Sequence, residues 1–176
     1  TFCRKVIPTK INSFEELVAY EQLCLDQGYE GIMIRSPDGP YKCGKATVKQ
    51  GWLLKVKRFK DSECKIIGFE EQQENTNEKT VDELGKSKRS KHQAGMVGKG
   101  TLGKFLVEEI GDTHWKGKTF AIGTGDGLTA ELRQQIWDNR DSYVGKIIVY
   151  KYQMHGTKDL PRLPIWKGFR DPRDMS

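Results

Sequence analysis

Lys55 and Lys57 stand two apart in the run Trp52-Leu53-Leu54-Lys55-Val56-Lys57-Arg58-Phe59-Lys60-Asp61. In a strand of period two, Leu53, Lys55 and Lys57 share one face, and Leu54 and Val56 share the other. Two ammonium groups on an otherwise apolar strand are costly to bury unless an anion lies against them. A phosphate meets that need, because it takes point charges as well as planar forks. The alternative is an edge strand whose lysines face water and discourage edge pairing. Glu30 is the second group of interest. Alternation over residues 29–35 puts it on one face with Ile32 and Ile34, where a carboxylate calls for a lysine partner or a bound cation. The third group is a run of cations, Lys86, Lys88, Arg89 and Lys91, inside a polar stretch over residues 72–100. Such a run is either a solvated loop or a phosphate-neutralising one, and a structureless insertion of that length is uncommon in a compact domain.

The elements that must position these groups follow from pattern. Residues 11–27 read as a helix: Ser13 and Glu16 fit a capping box, and Phe14, Leu17, Val18, Cys24 and Leu25 recur at roughly helical spacing. Gly28 sits where a C-terminal glycine belongs. Strands are expected over 61–69, 102–110, 118–123 and 144–153, all rich in Val, Ile, Phe and Tyr. Residues 129–140 form a helix capped by Thr129, with Leu132, Ile136 and Trp137 inward. Several strands, one short helix and turn-rich connections suit a small barrel of the OB type. Residues 161–176 read as a turn-bounded polar tail.

Composition narrows the class. The net charge of +6 is modest but has the sign expected of a nucleic-acid binder. No apolar run approaches a membrane span, and residues 1–10 lack the apolar centre of a signal peptide. Cys3, Cys24, Cys43 and Cys64 lie about twenty apart, without the paired spacing of a zinc site, and read as reduced, mostly packing cysteines of an intracellular protein. The first residue is Thr1 rather than Met, and strand-like sequence follows at once, which points to a piece of a longer chain.

Taken together, Glu30-Gly31-Ile32-Met33-Ile34-Arg35, Tyr41-Lys42-x-Gly44-Lys45 and Leu54-Lys55-Val56-Lys57 resemble motifs IV and V of the nucleotidyltransferases, a group of DNA ligases, RNA ligases and capping enzymes. The flanking residues resemble those of ATP-dependent DNA ligases, and the stretches over 75–95 and 120–127 resemble a viral member. The resemblance implies an α+β chain: the C-terminal end of an adenylation domain over 1–59, then an all-β OB-fold domain with one short helix over 60–176. It implies a latch-like, DNA-closing insertion over 72–100, with Lys86, Lys88, Arg89 and Lys91 on phosphates. It implies Glu30 as a metal ligand for Mg²⁺, and Arg35, Lys55 and Lys57 at the nucleotide, ATP or its AMP adduct. Residues 161–176 resemble motif VI, which implies roles for Arg162, Arg170 and Asp174 at the pyrophosphate leaving group. The basic residue usual after the aspartate is replaced by Met175, with Arg173 a substitute.

The nucleophilic lysine of such ligases lies in Lys-x-Asp-Gly. Here the Asp-Gly pairs read Ser36-Pro37-Asp38-Gly39 and Thr124-Gly125-Asp126-Gly127, without that lysine. The expectation is a monomeric C-terminal segment acting on nicked duplex DNA, with the nucleophile upstream and no activity alone. An RNA ligase or capping enzyme, and a non-catalytic OB module for single strands, are the alternatives.

Overall fold

The computed structural model describes residues 2, 6–83, 85–125, 127–171 and 173, which divide into two units, Thr1–Arg58 and Phe59–Ser176. In the first, Ser13 caps helix α1 (Phe14–Asp26): its Oγ accepts the Glu16 N–H at 3.2 Å, while the Glu16 carboxylate accepts the Asn12 N–H at 2.8 Å. The apolar pattern of α1 does not become a buried stripe. Phe14 and Leu23 stay exposed, and the buried residue of the helix is Glu21, gripped by both Nε and Nη2 of Arg58. Among the described residues, the rest of this unit's regular structure is one two-stranded ribbon and a 3-10 turn, too little surface to cover a helix.

That ribbon pairs β1 (Gly31–Arg35) with β2 (Leu53–Lys57), antiparallel. The single strand expected from Trp52 to Asp61 is divided at Arg58. Its first part pairs with β1, whereas β3 (Phe59–Asn75) belongs to the second unit.

The second unit is a closed barrel of β3, β6 (Met96–Glu109), β7 (Thr119–Gly123), β8 (Ile147–Gln153) and β9 (Arg162–Phe169), in the order β3-β6-β7-β9-β8. Inward residues of these strands, among them Cys64, Ile66, Phe105, Val107, Ile122, Ile148 and Tyr150, are fully buried. Helix α2 (Ala130–Asp138) adds Ile136 to this core, with Leu132 and Trp137 packed around it. Thr129 caps α2 through its Oγ1, and Arg133 fastens it to β6 by donating to the Leu102 carbonyl. Inside the barrel, the Glu109 carboxylate accepts hydroxyl protons from Ser62 and, at 2.6 Å, from Tyr150, whose oxygen accepts Trp115 Nε1–H at 3.0 Å. Burial, then the bond to Glu109, pushes the Tyr150 phenol well above its ordinary range; burial does the same to the Cys64 thiol.

Two of the plainer alternatives offered by the sequence do not hold. Residues 162–169 are a barrel strand rather than a polar tail: Trp166 enters the core with Phe169 packed against it, and the backbone pairs with both β7 and β8. The stretch over 72–100 is not a solvated loop. β3 and β6 run on together beyond the barrel to the pair Asn75↔Met96, and beyond them β4 (Lys79–Val81) pairs with β5 (Ser87–Arg89). Cys64 packs in the core as expected, but Cys43 is exposed and Cys24 half-buried; Cys3 lies outside the described residues.

Candidate functional site

Directly opposed residues of an antiparallel pair share a face. The register Gly31↔Lys57, Met33↔Lys55 and Arg35↔Leu53 therefore brings Arg35, Lys55 and Lys57 to one face of the β1–β2 ribbon, with Ile32, Ile34, Leu54 and Val56 on the other. Successive same-face residues on a strand are about 7 Å apart, so Lys55 and Lys57 are spaced to bracket one phosphoryl group. Lys55 and Arg35 are exposed; the Lys57 side chain is 17% exposed and ion-paired with Glu30.

Alternation assigned Glu30 to the isoleucine face, yet it meets Lys57. The cause is Gly31. Its φ of +153° breaks the alternation just before β1 begins, and a Cβ at this position would lie 2.1 Å from the Val56 carbonyl oxygen. Only glycine lets the two backbones approach this closely. A lysine partner thus satisfies Glu30 in this structure. Among the described residues no three His, Cys, Asp or Glu side chains converge as a metal site. One carboxylate nevertheless fits an ion such as Mg²⁺, which takes few protein ligands and fills its shell with water and phosphate oxygens.

In the second unit, Lys88 and Arg89 lie on β5, with Lys86 and Lys91 flanking it. Arg89 stands directly across from Lys79, a like-charge pair that destabilises a ribbon unless an anion lies between the two. Arg89 is also partly committed, since Nη1 donates to the Asn77 carbonyl at 2.5 Å.

The residues of the expected motif VI are not gathered. Arg162 and Arg170 bracket β9, about 26 Å apart at strand rise. Arg162 donates to the His155 carbonyl at 3.0 Å, and Arg170 pairs with Glu63 at 2.9 Å. Arg170 lines an open groove of about 420 Å³ with Asp61, Glu63, Val149 and Lys167, where Lys167 is ion-paired with Asp61. Arg173 forks onto Asp171, holding that carboxyl below the usual range; Asp174 and Met175 lie outside the described residues. Asp61, Glu63 and Lys167 carried no motif signal and are recognised only by the strand pairing that unites them.

Compared with known proteins, residues 95–170 match the family model of the DNA ligase OB-like domain. Among solved structures, the chain is similar to a Chlorella virus DNA ligase–adenylate, at 36% identity over 94% of this chain and 50% of that one, with a TM-score of 0.46. It is also similar to the structure Pmar-Lig_Pre., at 25% identity over 89% of this chain and 30% of that one, with a TM-score of 0.61. A structure from work on DNA binding by Lig E DNA ligases with a minimal scaffold shares the fold at 21% identity, over 92% of this chain and 48% of that one, with a TM-score of 0.59. No curated protein matches. The chain spans half the length or less of these solved relatives.

Proposed function

We propose, for a chain whose residues 95–170 belong to the DNA ligase OB-like domain family, that it is the C-terminal segment of an ATP-dependent DNA ligase that grips nicked duplex DNA. The observation that carries this reading is the β1–β2 ribbon. Arg35, Lys55 and Lys57 line one face, and Glu30 is drawn to its end by Gly31, in the unit that precedes a ligase-type barrel. Lys55 and Lys57 offset the charge of a nucleotide phosphate, and Arg35 adds a third cation along the same face. Glu30, on giving up its Lys57 partner, would hold Mg²⁺, which would supply further positive charge beside the phosphate. Arg162, Arg170 and Asp174 act at the leaving group. Arg170 and Arg162 now hold partners within the barrel, so that role requires them to exchange those partners. The cations Lys86, Lys88, Arg89 and Lys91 neutralise DNA phosphates, and the Lys79–Arg89 juxtaposition supports this by leaving an anion-shaped need on the β4–β5 ribbon.

Lacking the Lys-x-Asp-Gly nucleophile, these 176 residues bind nicks without sealing them. Titration of the chain against a nicked duplex, the intact duplex and the single strand tests this. Tighter binding to the nick, steeply weakened by salt, is the expected result. Preference for the single strand would replace the reading with a non-catalytic OB module. Sealing by the chain itself would overturn the assignment of the nucleophile to an upstream segment.

A further inference from the structure

Among the described residues, the β4–β5 hairpin shows no buried apolar side chain. Its strands are three residues each, every one of those residues is exposed, and Val81 is 70% exposed. Two-stranded hairpins of this size are marginal at best in water. Within 79–91, five cations (Lys79, Lys86, Lys88, Arg89, Lys91) face two acids (Asp82, Glu83), which adds self-repulsion. Something other than packing must set the direction in which these cations point.

The neck between the β3–β6 arm and the hairpin supplies it. Asn77 is half-buried, and its Nδ2 reaches the Ser90 carbonyl at 3.0 Å, the His92 carbonyl at 2.9 Å and Asn75 Oδ1 at 3.0 Å. One amide thus ties the strand leading into the hairpin to the segment leaving it. The bonding is reinforced from both sides: Asn75 Nδ2 also donates to the Ser90 carbonyl, and Arg89 donates back to the Asn77 carbonyl. The opposite wall is Gly95, where a Cβ would stand 2.1 Å from Asn77 Oδ1, so the fit requires glycine. Asparagine is the residue the site calls for, because a carboxylate has no N–H to offer three oxygens.

We infer that Asn77, seated against Gly95, is the positioning residue that aims the β4–β5 hairpin and its cations at the DNA backbone. The inference rests on the DNA-binding reading above. The effect of Asn77 runs through the hairpin, by having the ordering of those long side chains already made before DNA arrives.

The test measures binding of the full chain to a short nicked duplex over a series of salt concentrations. Four variants are compared: Asn77→Ala, Gly95→Ala, the triple Lys86→Ala/Lys88→Ala/Lys91→Ala, and the triple combined with Asn77→Ala. The triple is expected to flatten the log–log salt slope by about 2.7, from three lost phosphate contacts. Asn77→Ala and Gly95→Ala are each expected to weaken binding roughly tenfold. The barrel's melting temperature should stay at the parent's, while amide exchange quickens over residues 79–89. Added to the triple, Asn77→Ala should weaken binding by clearly less than it weakens the parent, because only Lys79 and Arg89 are left to aim. Parent-like binding by both Asn77→Ala and Gly95→Ala, or a loss fully additive with the triple, overturns the inference while leaving the DNA reading intact. A triple variant that binds as the parent does overturns both.

Discussion

Tyr150→Phe isolates the polar network inside the barrel. The ring stays, so packing is preserved, but one hydroxyl leaves. Glu109, 1% exposed, loses the donor at 2.6 Å and keeps Ser62; the buried Trp115 Nε1–H loses its acceptor at 3.0 Å. A hydrogen bond to a charged group contributes about 1.5–3 kcal/mol, and stranding a buried N–H costs about 1–3 kcal/mol, so the expected loss is about 3–5 kcal/mol. For a unit of this size that lowers the barrel's melting temperature by roughly 10–25 °C. Glu109→Gln should cost less, about 1–2 kcal/mol, since an amide offers one acceptor and one donor to the two hydroxyls. Thermal unfolding followed by near-ultraviolet circular dichroism reads both. A Tyr150→Phe barrel melting within about 3 °C of the parent would refute the reasoning, since the hydroxyl would then bear none of the expected burden.

Gly31→Ala should open the Glu30 end of the β1–β2 ribbon at a cost of about 2–4 kcal/mol, from the clash with the Val56 carbonyl and the positive φ. Faster tryptic cleavage at Lys55 and Lys57, with the barrel's melting unchanged, checks it. Cys64 and Tyr150 hold their protons more tightly folded than unfolded. Their contribution is therefore complete below their ordinary values of 9.0 and 10.0 and is lost as pH rises past them. The urea midpoint should accordingly fall above about pH 9, less steeply in Tyr150→Phe. Arg133→Met removes the donor to the Leu102 carbonyl and to Gln72 Oε1, and should cost about 1–2 kcal/mol by urea unfolding.

The parts of this fold legible in the sequence are those where local pattern and burial agree. α2 is one: Thr129 caps it and Ile136 enters the core, so spacing and packing tell the same story. β7 and β8 are similar, with alternating apolar residues on a half-buried surface. β9 was hidden by Pro161 and Pro164, which read as turn punctuation. Its backbone follows β8 through register shifts and meets β7 at the single pair Gly123↔Ile165. The full length of β3 was hidden for another reason. Glu70, Glu71, Gln72, Gln73 and Glu74 carry no apolar alternation, because this arm is held by its ladder with β6 rather than by a core. At the candidate site, the shared face of Lys55 and Lys57 was legible from their spacing. The Glu30–Lys57 contact was not, since it depends on a φ that only the folded Gly31 reveals, and Asn77 acquires its meaning from carbonyls thirteen and fifteen residues away.

The barrel closes late. β9, which follows β8 in sequence, is the one that lies between β7 and β8. A nascent chain that has emerged only as far as residue 160 therefore carries two bare strand edges, each a template for pairing with another molecule. Synthesis must run through Phe169 before either edge is sealed. Stalled or clipped products ending before Arg162 should accumulate as aggregates rather than as shorter soluble domains, and holdase chaperones should meet this protein mainly at that stage of its synthesis.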